Sequence, residues 1–80
     1  MTKLESLLSG YAKAEPQSEY RSDVIIIFDK NANKRSILKK LREYNLNTRK
    51  LSMNKYMLSP SDGESRDILR DYVWEYFENK

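Results

Sequence analysis

The fold is organised around the stretch SDVIIIF, residues 22–28, which contains the longest apolar run of the chain, Val24–Phe28. Branched apolar residues at successive positions predict a β-strand, and successive strand residues point to opposite faces of a sheet. A strand that is apolar on both faces is typical of the interior of a covered sheet. The sequence therefore predicts that packed elements cover both sides of this strand.

Downstream of this strand, residues 33–44 show the spacing of an amphipathic helix. The apolar residues recur at three- and four-residue intervals and form one stripe: Ile37, Leu38, Leu41 and Tyr44. Asn31 or Asn33 can cap the start of this helix, and Asn45 tolerates the left-handed conformation that ends many helices. We expect the helix to pack on the sheet through its apolar stripe.

Residues 48–58 alternate between apolar and polar side chains, which predicts a second strand. One predicted face is apolar and buried, and it holds Leu51, Met53 and Met57. The other predicted face is polar and solvent-exposed, and it holds Lys50, Ser52, Asn54 and Tyr56. A hairpin that turns near Asn54 and Lys55 is the competing interpretation of the same residues.

The N-terminal segment predicts a helix over residues 2–14. Thr2 and Glu5 form a capping box that would satisfy unpaired amide groups at the helix start, and Pro16 marks the end of the segment. The leucines of this segment and Tyr11 follow helical spacing and form one apolar face. This helix either packs on the rest of the domain or forms a separate arm.

The C-terminal segment predicts a helix over residues 62–79. Ser61 and Glu64 form a second capping box at its start. Six residues make a wide core-facing stripe: Ile68, Leu69, Tyr72, Val73, Tyr76 and Phe77. Trp74 lies about 160° from this stripe on a helical wheel. We therefore expect Trp74 to contact something other than the sheet.

These elements follow the order α-β-α-β-α and predict one compact domain over residues 1–80, of the α+β or small α/β class. Residues 20–80 would form the α/β core, in which helices cover a sheet of two or three strands. The β-α-β portion predicts a right-handed crossover between parallel strands. Because a two-stranded sheet is marginally stable on its own, a homodimer in which a second chain extends the sheet is an alternative arrangement.

Positive charge is concentrated in residues 30–55. This segment holds nine Lys or Arg and one acid, Glu43, whereas the rest of the chain holds six bases and eleven acids. The segment carries a net charge of +8 and the remainder −5. On the predicted helix, Arg35, Lys39 and Arg42 fall on one flank. A segregation of charge this strong indicates an anionic partner.

Nucleic acid is the partner that this charge pattern favours, because clustered Lys and Arg gain affinity by releasing counterions from phosphates. Tyr56, on the predicted solvent face, would stack on a base, and Asn54 would hydrogen-bond phosphate or base edges. The predicted contact set is Lys34, Arg35, Lys39, Arg42, Arg49, Lys50, Asn54, Lys55 and Tyr56. An acidic protein surface is the alternative partner for the same cations.

A protein-interaction module is the alternative function, for example a small inhibitor or adaptor of a larger enzyme or complex. Tryptophan is enriched among the residues that anchor protein interfaces. Trp74 lies off the apolar stripe beside Arg70 and Glu78, and these three residues form the predicted protein-contact set.

Catalysis is not predicted from this residue content. The chain has no His and no Cys, which removes the commonest general base and the commonest ligands of structural zinc. Asp29 follows the first strand without a second acid within reach or a glycine-rich phosphate loop. We therefore expect a regulatory protein that acts by binding, without catalytic residues, a metal site or a cofactor.

The sequence also predicts a cytoplasmic protein without membrane contact. The N-terminal residues 1–10 lack the continuous apolar core of a signal peptide. The run Val24–Phe28 is far shorter than the roughly 20 residues that a membrane-spanning helix requires.

Overall fold

Residues 2–79 are described by a computed structural model, and they fold into three helices and four strands. In chain order the elements are α1 (Lys3–Leu8), β1 (Ala12–Pro16), β2 (Val24–Phe28), α2 (Lys34–Glu43), β3 (Leu46–Ser52), β4 (Lys55–Pro60) and α3 (Gly63–Glu78). The strands form one sheet in the order β1-β2-β4-β3, and each neighbouring pair is antiparallel.

The predicted α+β class is confirmed, but the predicted sheet and element order are wrong. Within residues 2–79 the sheet has four strands rather than two or three, and the order is α-β-β-α-β-β-α. The predicted parallel crossover is also wrong, because β2 pairs antiparallel with β4. The two additional strands come from residues 12–16, of which 12–14 were predicted to belong to the first helix, and from the division of residues 48–58 into two strands.

The first helix ends at Leu8 rather than at residue 14. Ser9 and Gly10 take positive φ angles of 54° and 77°, which stop the helix and redirect the chain. The next residues form β1, and all five of them pair with β2. Pairing with the apolar β2 therefore outweighs the helical preference of the Ala, Lys and Glu residues in this segment.

The predicted capping box at the start of α1 is confirmed. The Glu5 amide donates to Thr2 Oγ1 at 3.3 Å, and the Thr2 amide donates to Glu5 Oε1 at 2.8 Å. The hydrogen bonds from the backbone and side chain of Thr2 lower the pKa of the Glu5 carboxyl. α1 is docked on the domain, because Leu4, Leu7 and Leu8 are buried in the core beside α2 and α3.

The core lies between the helices and one face of the sheet. The buried strand side chains all belong to this face: Ala14, Val24, Ile26, Phe28, Leu46 and Leu58. The prediction that packed elements cover both sides of β2 is wrong, because Ile25 and Ile27 point to the opposite face and are only partly buried. The uncovered side is called the open sheet face below.

The competing hairpin interpretation of residues 48–58 is confirmed. The chain turns at Met53 and Asn54, and β3 and β4 pair on either side of this turn. A register shift between Lys50 and Ser52 marks a bulge in β3 close to the turn.

The hairpin reverses the predicted faces of this segment. Tyr56, predicted to face solvent, is half-buried and packs edge-on against Phe28, with ring centroids 5.6 Å apart. Leu51 and Met53, predicted to be buried, are exposed, and Met57 is only partly buried on the open sheet face. The reversal follows from pairing, because Tyr56 lies opposite the buried Ile26 and therefore shares its face.

The predicted second helix is confirmed, and α2 buries Ile37, Leu38 and Leu41. Asn33 caps its start by accepting a hydrogen bond from the Ser36 amide at 3.2 Å. Asn45 follows its end with a φ of 64°, in the left-handed conformation that the sequence predicted.

The capping box of α3 is formed one residue later than predicted. Asp62 accepts from the Ser65 amide at 2.8 Å, and the Ser65 hydroxyl accepts from the Asp62 amide at 3.0 Å. Ser61 and Glu64 were the wrong pair, because the helix begins at Gly63. The bonds from the Ser65 backbone and hydroxyl lower the pKa of Asp62.

Candidate nucleic-acid interface

α2 is held against β3 by hydrogen bonds near both of its ends. Arg42 Nε donates to Thr48 Oγ1 at 3.0 Å. Lys34 Nζ donates to the Met53 carbonyl at 2.9 Å and to Asn54 Oδ1 at 3.2 Å. Because the start of α2 contacts the hairpin turn and its end contacts the first half of β3, the helix and the strand run in opposite directions.

The bond from Arg42 identifies the helix flank that borders β3. Arg35 and Lys39 lie within about 60° of Arg42 around the helix axis, and the three side chains form a row of roughly 10 Å along it. All three side chains are exposed. The edge strand β3 and this flank of α2 therefore form one continuous border of the molecule.

Lys50 extends this row onto the sheet. It lies two residues beyond Thr48 on the same face of β3, and its side chain is exposed. Arg35, Lys39, Arg42 and Lys50 together are called the α2–β3 basic face. Arg49 lies between Thr48 and Lys50 on the same edge strand, but its side chain points to the open sheet face.

The cations of this face are not neutralised by nearby carboxylates. Within residues 2–79, the one ion pair joins Arg21 and Asp23 at 2.7 Å, outside the basic segment. Glu43 is the one acid in α2 and follows Lys39 by four residues, but its carboxylate forms no ion pair in the described part of the chain. The positive charge of the face is therefore available to an external anion.

The structure divides the predicted nucleic-acid contact set between several places. Arg35, Lys39, Arg42 and Lys50 share the α2–β3 basic face. Lys34 and Asn54 are bonded to each other at the hairpin turn. Arg49 and Lys55 point to the open sheet face. Tyr56 is half-buried and packs edge-on against Phe28, so it is less exposed than predicted and lies apart from the four cations of the α2–β3 basic face.

The open sheet face carries a second, smaller group of cations around an apolar centre. Pairing places Lys13, Ile27, Lys55 and Ser52 in one row across the strands, and Glu15, Ile25, Met57 and Arg49 in the next. Ile25, Ile27 and Met57 lie on the inner strands β2 and β4, together with Lys55, whereas Lys13, Glu15 and Arg49 lie on the outer strands. Ile27 separates Lys13 from Lys55, and Glu15 places a carboxylate on the same face, so these cations form a weaker anion site than the α2–β3 basic face.

The predicted protein-contact residues lie together at the other side of the molecule. Trp74, Arg70 and Glu78 line one groove. Arg70 is not free, because its guanidinium donates to the carbonyls of Arg21 at 3.0 Å and Glu19 at 3.2 Å. Sequence reasoning missed Tyr20, which lines the same groove from the β1–β2 loop, since only the tertiary fold brings that loop to α3.

Metal and membrane sites receive no support from the described residues. No group of three or more carboxylates in residues 2–79 is arranged to hold a metal ion. Over the same residues, each helix is too short or too polar to cross a bilayer.

Comparison of the chain with protein-family models, with curated proteins and with solved structures gives no match.

Proposed function

We propose that this protein binds nucleic acid through the α2–β3 basic face and acts without catalysis. The observation that carries the proposal is the exposed row of Arg35, Lys39 and Arg42, which the Arg42–Thr48 hydrogen bond fixes beside β3. These cations form no ion pair within residues 2–79, so binding a phosphate would not require breaking an ion pair. Lys50 adds a fourth cation from the neighbouring strand.

The energetic basis of the proposed binding is counterion release. Each cation that neutralises a phosphate releases condensed counterions, so affinity falls as salt concentration rises. Four such contacts on duplex DNA correspond to a slope of about −3.6 in log affinity against log salt. The affinity would then fall by about 150-fold between 50 and 200 mM salt.

Recognition is expected to be independent of base sequence. The α2–β3 basic face presents guanidinium and ammonium groups, which position a protein on phosphates. Tyr56, the aromatic residue predicted to stack on a base, is half-buried against Phe28 and offers less surface to a base than an exposed ring would. The proposed binding therefore depends on the backbone of the nucleic acid, and duplexes of different sequence should bind with similar affinity.

The test is a fluorescence anisotropy titration of a labelled 16-base-pair duplex between 50 and 200 mM NaCl. The variant R35Q/K39Q/R42Q removes the row, and K13Q/K30Q/K40Q removes three exposed cations elsewhere, so both variants have the same net charge. We expect the first variant to lower the slope to about −0.9, whereas the control keeps most of the wild-type slope.

Equal losses in the two triple variants would show that net charge alone drives association and would contradict the proposed face. Absence of binding by the wild-type protein at 50 mM salt would contradict the proposal as a whole. Folding of each variant is checked by far-ultraviolet circular dichroism, since Arg42 also bonds to Thr48.

A further inference from the structure

Two of the most exposed aromatic side chains of the chain, one on α3 and one in the β1–β2 loop, line the same groove. Tyr20 is 88% exposed and Trp74 is 67% exposed, and both line a groove between α3 and the β1–β2 loop. The buried Val73 and the half-buried Phe77 form the inner part of this groove. Large aromatic side chains exposed next to each other are characteristic of interface anchors.

The groove is held open by hydrogen bonds that fix the loop to α3. Arg70 Nη1 donates to the Arg21 carbonyl at 3.0 Å, and Nη2 donates to the Glu19 carbonyl at 3.2 Å. These two acceptors flank Tyr20 in the sequence, so Arg70 sets the position of the Tyr20 backbone relative to Trp74. A site fixed in this way loses little conformational entropy when a partner binds.

Charge around the groove is negative. Glu19 and Glu78 line it together with one cation, Arg70, whose guanidinium is held by the loop carbonyls but keeps its positive charge, so the lining has a net charge of −1. Over its whole length α3 carries five carboxylates and two guanidinium groups. The groove therefore complements a cationic ligand, which is the opposite preference to that of the α2–β3 basic face.

We propose that this groove docks a basic, amphipathic peptide segment of a partner protein. Apolar side chains of the segment pack between Tyr20 and Trp74 against Phe77. A lysine or arginine of the segment lies over the Trp74 ring and is attracted by its π face, while Glu19 and Glu78 pair with further cations. This inference is independent of nucleic-acid binding, because the two surfaces share no residue.

The observations favour such a segment over other occupants. A second copy of this chain offers the cations of α2, but the apolar stripe of that helix is buried in its own core. Its open sheet face carries both cations and apolar side chains, but these are spread over four strands and do not form the narrow ridge that a groove accepts. An anionic membrane would be repelled by the carboxylates of α3. A partner segment that carries both cations and apolar side chains on one face can contact the aromatic walls and the carboxylates of the groove at the same time.

The test uses Trp74 as its own reporter, because it is the one tryptophan in the sequence. Wild-type protein is titrated with a 12-residue amphipathic peptide of Leu and Lys, while the emission maximum of Trp74 is recorded. The comparison peptides have the same pattern with Glu in place of Lys, and with Ser in place of Leu. We expect a saturable blue shift with the Leu–Lys peptide and at least tenfold weaker binding of both comparison peptides.

Variants then locate the binding site. Y20A removes one aromatic wall of the groove and should lower the affinity for the Leu–Lys peptide by tenfold or more. E19Q/E78Q should lower the affinity for the same peptide about three- to tenfold. The matched control E15Q/E64Q removes two exposed carboxylates outside the groove and should change affinity less than twofold.

Four results would overturn the proposal. The first is equal binding of the Leu–Glu peptide, and the second is an equal effect of E19Q/E78Q and E15Q/E64Q. The third is a protein dimer in sedimentation equilibrium that shields Trp74 without peptide, which would assign the groove to a second copy of the chain. A wild-type protein that gives no blue shift with the Leu–Lys peptide also contradicts the proposal.

Discussion

Arg70 shows how one residue can carry a role that its position in the sequence does not reveal. The helical wheel places it beside Trp74 and suggests a contact with a partner. In the structure its guanidinium instead holds the β1–β2 loop through the carbonyls of Glu19 and Arg21. The bonds join residues separated by about 50 positions in the chain, so no local pattern in the sequence predicts them.

Replacing Arg70 by Gln should loosen this loop without unfolding the domain. The substitution removes two charge-assisted hydrogen bonds on a partly exposed side chain, and we expect a loss of about 1 kcal/mol in the free energy of unfolding. Amide hydrogen exchange in residues 17–23 should accelerate. Arg66→Gln is the matched control, since Arg66 is exposed on the same helix. Equal exchange in the two variants would contradict this role of Arg70.

Asp62 gives the start of α3 a pH dependence. Its folded-state pKa is lowered by the bonds from Ser65, so its stabilising contribution is complete above the unfolded-state pKa of about 3.9. That contribution is lost as the pH falls below this value and through the lowered folded-state pKa. Asp62→Asn retains a capping side chain but has no titrating group.

We therefore expect wild-type protein to exceed Asp62→Asn in melting temperature at pH 7, with the difference disappearing toward pH 2. Thermal melts at a series of pH values measure this difference. The prediction would be refuted by a difference that stays constant with pH. Asp71→Asn serves as the control, because Asp71 lies on the exposed middle of α3 outside the cap.

At the scale of elements, β2 shows what the apolar pattern determines and what it leaves open. The run Val24–Phe28 correctly predicts a strand in the interior of a sheet, because few other structures accommodate consecutive branched residues. The pattern does not reveal that one face stays open. Ile25 and Ile27 look as apolar as Ile26, and only the placement of the helices distinguishes them.

Substitutions in β2 should therefore alternate in their effect on stability. Ile26→Ala removes a fully buried side chain and should cost about 2–5 kcal/mol in the free energy of unfolding. Ile25→Thr and Ile27→Thr act on the partly exposed face and should each cost less than about 1 kcal/mol, since Thr retains high strand preference. Urea denaturation measures all three. Costs as large at positions 25 and 27 as at 26 would indicate that something covers the open sheet face.

The errors in element boundaries share one physical origin. The hairpin between β3 and β4 turns at Met53 and Asn54, without the glycine that normally signals a tight turn. β1 contains Ala, Lys and Glu, which favour helices when considered alone. In both segments, pairing with a strand distant in the sequence decides the structure. α2 was predictable because its caps and apolar stripe are local features.

At the scale of the whole molecule, the fold places the α2–β3 basic face and the acidic helix α3 on separate surfaces. The α2–β3 basic face lies at one edge of the sheet, and the acidic α3 carries the Trp74 groove. Helical periodicity alone predicted the row of Arg35, Lys39 and Arg42, because these residues belong to one helix. It did not predict the positions of the strand cations. The sheet face to which each side chain of β3 and β4 points depends on where the chain turns between the two strands.

The central claim is that nucleic acid contacts the α2–β3 basic face, and NMR chemical-shift mapping tests it most directly. Labelled protein is titrated with a short DNA duplex at 50 and 200 mM NaCl. We predict salt-sensitive shifts at Arg35, Lys39, Arg42 and Lys50, with little change at Lys13. Shifts centred on the open sheet face around Lys13 and Lys55, or no shifts at either salt concentration, would contradict the claim.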